Sequence, residues 1–241
     1  MVDPCGNSKI ALNNSYIVNR GFPGTVQDSG STNCAGSSSR KRQSADLTST
    51  YTISKAASDI VQIRIDFVYL ELSAPMMGDC SNDTIVITGA DAVSQKIIPS
   101  NLCGTLTGQH MYISVKDVDS VTMTITLSSL VAQKWQILVR QYDSTQTEYL
   151  APRGCLQYFR QDNGILETYN YNDGNGELLN NHMYTYCIAQ NDLYCDVALT
   201  SSSFMLGGSS GSCSDAAVFG LDKVCGSTFG NSGSLTCKLI I

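Results

Sequence analysis

Val61-Gln62-Ile63-Arg64-Ile65-Asp66-Phe67-Val68-Tyr69 alternates apolar and polar side chains. Val61, Ile63, Ile65, Phe67 and Tyr69 point one way, and Gln62, Arg64 and Asp66 the other, which is the period of a half-buried strand. The same period recurs at Val121, Met123, Ile125 and Leu127, which alternate with Thr122, Thr124 and Thr126. β-branched threonine suits the wet face of an antiparallel sheet. Further short strands are predicted at 84–88, 111–116, 135–142, 165–171, 183–188, 194–199 and 203–206. Each is flanked by Gly, Asn, Asp or Ser. No window carries a capped 3.6-residue period, so little helix is expected. Regularly spaced short strands point to an all-β fold of sandwich or barrel type. Residues 30–42, rich in Ser, Gly and Asn, read as a mobile surface loop.

The chain has 241 residues and 42% apolar content, enough for a sizeable core. Its 10 cysteines, an even number running from Cys5 to Cys237, fit five disulfides and an oxidising compartment. Zinc is disfavoured because there is no C-x-x-C pair and neither His110 nor His182 stands at ligand spacing from a cysteine. A net charge of -6 argues against nucleic-acid binding, which draws on clustered Lys and Arg. The basic run Arg40-Lys41-Arg42 reads first as a solvated loop and second as a protease-sensitive site. No apolar stretch approaches the roughly 18 residues that span a bilayer, so membrane insertion is not expected. Met1-Val2-Asp3-Pro4 lacks the basic and apolar regions of a signal peptide and is read as a mature or engineered start of a secreted chain. Asn13 and Asn82 head N-x-S/T sequons available for glycosylation.

One cysteine grammar occurs twice. The first copy is Cys5, Cys34, Cys80 and Leu102-Cys103-Gly104-Thr105; the second is Cys155, Cys187, Cys213 and Val224-Cys225-Gly226-Ser227. Gly108 and Gly230 follow at equal spacing, and Cys80-Ser81 matches Cys213-Ser214. Two domains are therefore expected, 1–148 and 149–241, joined near Asp143 to Pro152.

Residues 5 to 142 resemble a CUB domain, an extracellular antiparallel β-sandwich of jelly-roll type. The resemblance rests on Cys5, Asn19-Arg20-Gly21-Phe22-Pro23-Gly24, Cys34, the strand to Phe67 with Leu70-Glu71-Leu72, Cys80-Ser81-Asn82-Asp83, Leu102-Cys103-Gly104, the Val121 strand and the closing strand from Trp135 to Tyr142. The wording of 59–67 and of 151–158 is similar to secreted arthropod proteins with tandem CUB-like domains. The resemblance implies two disulfide-stapled β-sandwiches, the second shortened or truncated because the chain ends soon after Cys225. It also implies disulfides Cys5–Cys34, Cys80–Cys103, Cys155–Cys187 and Cys213–Cys225, with Cys195 and Cys237 left for each other; the sequence itself leaves other connectivities open. Many such domains hold calcium on acidic side chains at one end, against which a partner's lysine docks. Glu71 and Asp83 stand where two of those acids are found, and Ser128 and Ser129 stand near the expected place of the third. A calcium ion prefers six or more oxygen ligands, more than two carboxylates supply.

Ile17-Val18-Asn19 and 207–212 superficially echo a chymotrypsin-like protease, but nucleophilic catalysis needs a serine, a histidine and an orienting acid together. Neither Gly108-Gln109-His110-Met111 nor Asn181-His182-Met183-Tyr184 offers that context, and the 21 acidic residues single out no glycosidase pair. The chain reads as a non-enzyme. The tyrosines crowding the second half, Tyr158, Tyr169, Tyr171, Tyr184, Tyr186 and Tyr194, suit strands and interfaces alike. The expected function is a secreted, extracellular interaction module that binds a protein or glycan. The alternatives are a self-associating matrix or coat protein and the non-catalytic regulatory region of a longer secreted serine protease.

Overall fold

The structure is a computed structural model that describes residues 7–19, 21–26, 47–127, 132–189, 196–201, 203–209, 212–219, 222–227, 229 and 235–236. The segment read as a mobile loop, and four of the cysteines (Cys5, Cys34, Cys195 and Cys237), lie outside the described residues. The chain divides into two compact units, 1–159 with 164–187, and 160–163 with 188–241. The spatial division thus falls later along the chain than the Asp143 to Pro152 stretch.

The first unit is built on two four-stranded sheets. One contains β1 (Asn7–Ile10), β3 (Leu47–Ser54), β5 (Thr84–Thr88) and β7 (Ser120–Leu127) in the order β1-β3-β7-β5. The other contains β2 (Ser15–Val18), β4 (Ile60–Glu71), β6 (His110–Ser114) and β8 (Lys134–Asp143) in the order β2-β8-β4-β6. All pairings are antiparallel except β1 with β3. Tyr51, Ile53, Ile85, Val121, Met123 and Ile125 from the first sheet share one buried core with Ile63, Ile65, Phe67, Met111, Ile137 and Val139 from the second. Such burial contributes about 1.5–3 kcal/mol for each large apolar side chain. The outward threonines of β7 stay partly solvated, as the period of two requires.

The alternation read at Val61 to Tyr69 holds only in the middle of β4. The pairing of β4 with β8 shifts between Ile60 and Gln62 and again between Phe67 and Tyr69. A bulge adds one residue to one strand and so exchanges the faces beyond it. Ile60 and Leu70 are buried in place of Val61 and Tyr69, and Val68 stands 42% exposed at the second bulge.

Residues 150–159 and 164–187 cover the far edge of the second sheet. Without them β6 would present unpaired N–H and C=O groups. The Tyr112 N–H donates to the Leu156 carbonyl at 2.8 Å, and β9 (Gln157–Phe159) pairs with β10 (Tyr186–Ile188) beside it. Gln62, expected on the wet face, is buried because its amide brackets Ala151: Nε2 donates to the Ala151 carbonyl at 3.1 Å and Oε1 accepts from its N–H at 2.8 Å. The Cys155–Cys187 disulfide closes this tract on itself. The predicted strand at 165–171 does not form, and only 186–188 of the predicted 183–188 is strand. The side chains there pack on the first sandwich instead of pairing. Tyr169 is 1% exposed and its hydroxyl donates to the His110 carbonyl at 3.0 Å. Asn170 sits against Gly104, where an added Cβ would lie 2.0 Å from its Oδ1, and that oxygen accepts from the Thr105 N–H at 3.0 Å. The glycine of Leu102-Cys103-Gly104 thus admits Asn170.

In the second unit the described strands form two-stranded ladders, the longest joining 217–219 to 222–224. The predicted strand at 203–206 is reduced to a single bridge from Leu206 to Gly226. A Cys213–Cys225 disulfide and Phe229, edge-on to both Phe204 and Phe219, consolidate this unit.

If 150–159 and 164–187 belong to the first sandwich, Tyr169→Ala removes a buried ring and a hydrogen bond from that core. It is expected to cost about 3–5 kcal/mol, read as a lowered midpoint for the whole β-sandwich transition by calorimetry. A loss confined to the far-C-terminal unit would contradict the packing.

Candidate functional site

The acids singled out by sequence sit at one end of the sandwich with different tasks. Glu71 ends β4, pairs in register with Lys134 and is exposed. Two residues earlier Tyr69 lies on the same side of the strand; its hydrogen bond to Glu71, then its burial, then that carboxylate's charge push its hydroxyl up to about 12. The Lys134 ammonium lies over the Tyr69 ring, 4.6 Å from its centroid, and also faces the Phe22 ring at 5.7 Å. Such stacking contributes about 0.5–1 kcal/mol where solvent reaches it.

Asp83 is fully buried. Its Oδ2 accepts from the Ser73 N–H at 2.9 Å, the Ser73 hydroxyl at 2.6 Å and the Gln133 Nε2 at 3.1 Å. It is a structural acceptor that joins the ends of β4 and β8, immediately after the Cys80–Cys103 disulfide. One oxygen already shared by three donors is a poor ligand for a hard cation, and no group of three or more metal-binding side chains occurs among the described residues. Glu71 and Asp83 therefore do not by themselves make a calcium cage. Ser128 and Ser129 lie outside the described residues.

A second cluster, which the sequence reading did not assemble, stands on the outward face of β4, β6 and β8. Arg64 pairs with Asp66 at 2.7 Å, Arg140 reaches the other oxygen of the same carboxylate, and Arg64 Nη1 donates to the Tyr112 hydroxyl at 2.7 Å. Burial alone would lower the Arg64 pKa, but hydrogen bonding to Asp66 and its charge outweigh it and hold the guanidinium raised. The register that sets Arg64 beside Arg140 was the missing signal, since β4 and β8 are far apart in sequence.

The two histidines are engaged by backbone. His110 is buried, its Nε2 lies 3.2 Å from both the Tyr158 nitrogen and the Tyr158 oxygen, and its ring meets Tyr112 and Phe159 edge-on. Burial and then the Arg64 charge lower its pKa to about 4. A neutral ring accepting from the Tyr158 N–H fits that shift. His182 Nε2 lies 2.8 Å from the Asn101 carbonyl, and burial lowers its pKa as well. Of the sequons, the Asn13 side chain clasps the Gln141 backbone at both its nitrogen and its oxygen, whereas Asn82 is exposed beside Asp83.

The loop after Glu71 carries an unusual display. Met76 and Asp79 exchange backbone hydrogen bonds around Met77-Gly78, and both central residues have positive φ, 53° and 82°. Glycine adopts that conformation freely, but methionine does so at a cost of order 1–3 kcal/mol. The surroundings hold it there. Asn180 Nδ2 donates to the Met77 carbonyl at 2.8 Å and to Asp79 at 2.9 Å, and Glu177 accepts from the Gly78 N–H at 2.9 Å. Met77 is 92% exposed and Met76 62%.

Residues 152–238 match the family model of the animal CUB domain. The match falls on the second copy of the cysteine grammar. No curated protein sequence matches the chain. Among solved structures, the MASP-1 CUB2 domain bound to Ca2+ aligns at 14% identity over 56% of this chain and 98% of that one, with a TM-score of 0.36. The CUB1-EGF-CUB2 domains of rat MASP-1 align at 11% identity over 95% of this chain and 90% of theirs, with a TM-score of 0.38.

Two outcomes follow from this geometry. Removing the buried acceptor in Asp83→Ala strands the Ser73 and Gln133 donors and is expected to cost at least about 1–3 kcal/mol. The loss in melting temperature should be the same with and without calcium. As for pH, a histidine whose folded pKa lies below its ordinary 6.5 binds its proton more readily in the unfolded chain. Stability is therefore expected to fall as pH drops from about 6.5 towards 4. In denaturant titrations His110→Gln should flatten that slope, with His182 supplying the remainder.

Proposed function

We propose that this chain is a secreted, non-enzymatic extracellular interaction module of CUB type, and that it meets a protein partner at the Glu71 end of its first sandwich. The observation that carries this is the Met76-Met77 turn. A nearly fully exposed methionine is held in a strained backbone conformation by Asn180 and Glu177. Strain retained by surrounding hydrogen bonds argues for a use. Methionine is a soft, adaptable side chain suited to binding surfaces, and a turn fixed in advance loses little entropy on docking. Exposed Glu71 on the strand leading into this loop adds a carboxylate that can receive a partner's lysine. The match of 152–238 to the animal CUB family and the disulfides support an extracellular setting.

Met77→Gly tests this, because glycine keeps the turn and removes only the side chain. The parent and the variant, immobilised side by side, are offered the purified secreted proteins of the source tissue. The variant is expected to melt no lower than the parent yet lose at least tenfold in affinity for the parent's partner. Unchanged affinity would refute the loop as the docking point. Association of the parent with itself in sedimentation runs would favour the matrix reading instead.

A further inference from the structure

The outward face of the β2-β8-β4-β6 sheet carries an unbalanced row of charges. The register sets Arg64 on β4 directly opposite Arg140 on β8, and like charges so placed oppose pairing unless a counter-charge joins them. Asp66 joins them, but two guanidinium groups share its one carboxylate. The three groups together carry one positive charge in excess. We propose that Arg140 is a docking point for a carboxylate of a partner protein, borne on an extended segment with apolar side chains beside the acid.

The two arginines differ in what they have left to donate. Arg64 is fully engaged: Nε and Nη2 both reach Asp66 Oδ1, at 2.8 and 2.7 Å, and Nη1 donates to the Tyr112 hydroxyl at 2.7 Å. Arg140 donates to Asp66 Oδ2 through Nη1, and its Nε and Nη2 have no partner among the described residues. Those two N–H groups form the side-on fork, whose parallel donors match the two oxygens of a carboxylate. The Arg140 side chain is 36% exposed, against 25% for Arg64 and 16% for Asp66, so it is the member of the row that a partner reaches. A carboxylate on that fork extends the row to Arg64, Asp66, Arg140 and the incoming acid, alternating in sign and neutral in sum. His110, opposite Asp66 on β6, adds no charge near neutral pH, because burial and the Arg64 charge keep its ring neutral.

The surroundings of the fork select the acid's neighbours. Leu138 lies two residues before Arg140 on the same face of β8, about 7 Å away along the strand. It is flanked by Tyr16, its register partner on β2, and by Val68 at the bulge of β4. Tyr16 and Val68 are each 42% exposed, and a cleft of about 190 Å³ opens beside Val68, Leu138 and Arg140. An extended partner chain presents the side chains of one face at the same interval of about 7 Å. An acid seated on Arg140 therefore brings the residue two positions away over this apolar patch. A sulfated polysaccharide fits less well, because its repeated anions would find one unengaged guanidinium in the row and a chain of net charge -6 around it.

The test is a nuclear magnetic resonance titration of the full chain with the blocked peptide Leu-Thr-Glu-Thr-Leu, which offers an apolar side chain on either side of the acid, alongside the same peptide with Gln in place of Glu. Saturable shifts at the Arg140 Nε–H, Leu138 and Val68 are expected with the acidic peptide, and about tenfold weaker binding with the Gln peptide. Arg140→Met, which leaves Arg64 paired with Asp66, should weaken the acidic peptide about tenfold. Arg140→Lys keeps the charge but loses the fork, and should still bind about threefold more weakly than the parent. Val68→Asp should weaken binding without removing an ion pair. No saturable shifts, equal binding of the two peptides, parent-like binding by Arg140→Lys, or tighter binding of a sulfated heparin disaccharide would overturn the assignment. Met77→Gly should bind the peptide as the parent does, which keeps this site's test separate from that of the loop.

Discussion

The β6 edge is the constraint on which the rest of the first unit depends. A sandwich that ended at Ser114 would leave one row of backbone donors and acceptors open to pairing with any passing strand. Residues 150–159 and 164–187 close it, and each anchor they use also shapes a surface feature. The Leu156 carbonyl that receives the Tyr112 N–H brings Tyr158 onto His110. The Thr168 carbonyl accepts from the Gln109 amide, whose oxygen is buried with no partner among the described residues. Asn180, further along the same tract, holds Met77 in its left-handed turn. The cover of the edge and the candidate docking turn are consequences of one packing event.

This explains what the tyrosines of the second half do. Tyr169, Tyr184 and Tyr186 pack in a row, the first pair tilted and the second edge-on, with ring centroids 5.0 and 5.4 Å apart, and burial raises the pKa of all three. Their hydroxyls are committed: Tyr186 donates to the Glu167 carbonyl at 2.7 Å and Tyr169 to that of His110. A long amphipathic ring is well suited to a tract with little regular backbone pairing, because it supplies both apolar area and a hydrogen bond. Strand propensity alone misled at 165–171, where the tyrosines serve packing between layers instead of a ladder.

The all-β class and the central registers were legible in the sequence because a period of two survives wherever one sheet face is buried and the other wet. It failed at both ends of β4, since no residue between Val61 and Tyr69 signals a bulge; the shift exists only relative to β8, whose sequence lies far away. Gln62 failed for a related reason. Its polar side chain marks the outward face correctly, but burial came from Ala151, a contact that periodicity cannot encode. The acid positions were legible while their roles were not, because Glu71 and Asp83 look alike in a string. One ends a strand in solvent, and the other is enclosed by Ser73 and Gln133.

That last contrast bears on how a sandwich of this type divides its chemistry. A carboxylate fully buried on neutral donors stabilises only while each donor stays aimed at it, so Asp83 stiffens the junction of β4 and β8 and cannot also move to meet a ligand. Glu71, hydrogen-bonded to the Tyr69 hydroxyl and beside Lys134 in register, stands exposed to solvent. The stiff acid holds the frame from which the exposed one is displayed, and the disulfide at Cys80 ties the intervening loop to that same frame. Surface chemistry at this end is set by which groups the core encloses, and the side chains left exposed, Glu71, Met76 and Met77, are those a partner can reach.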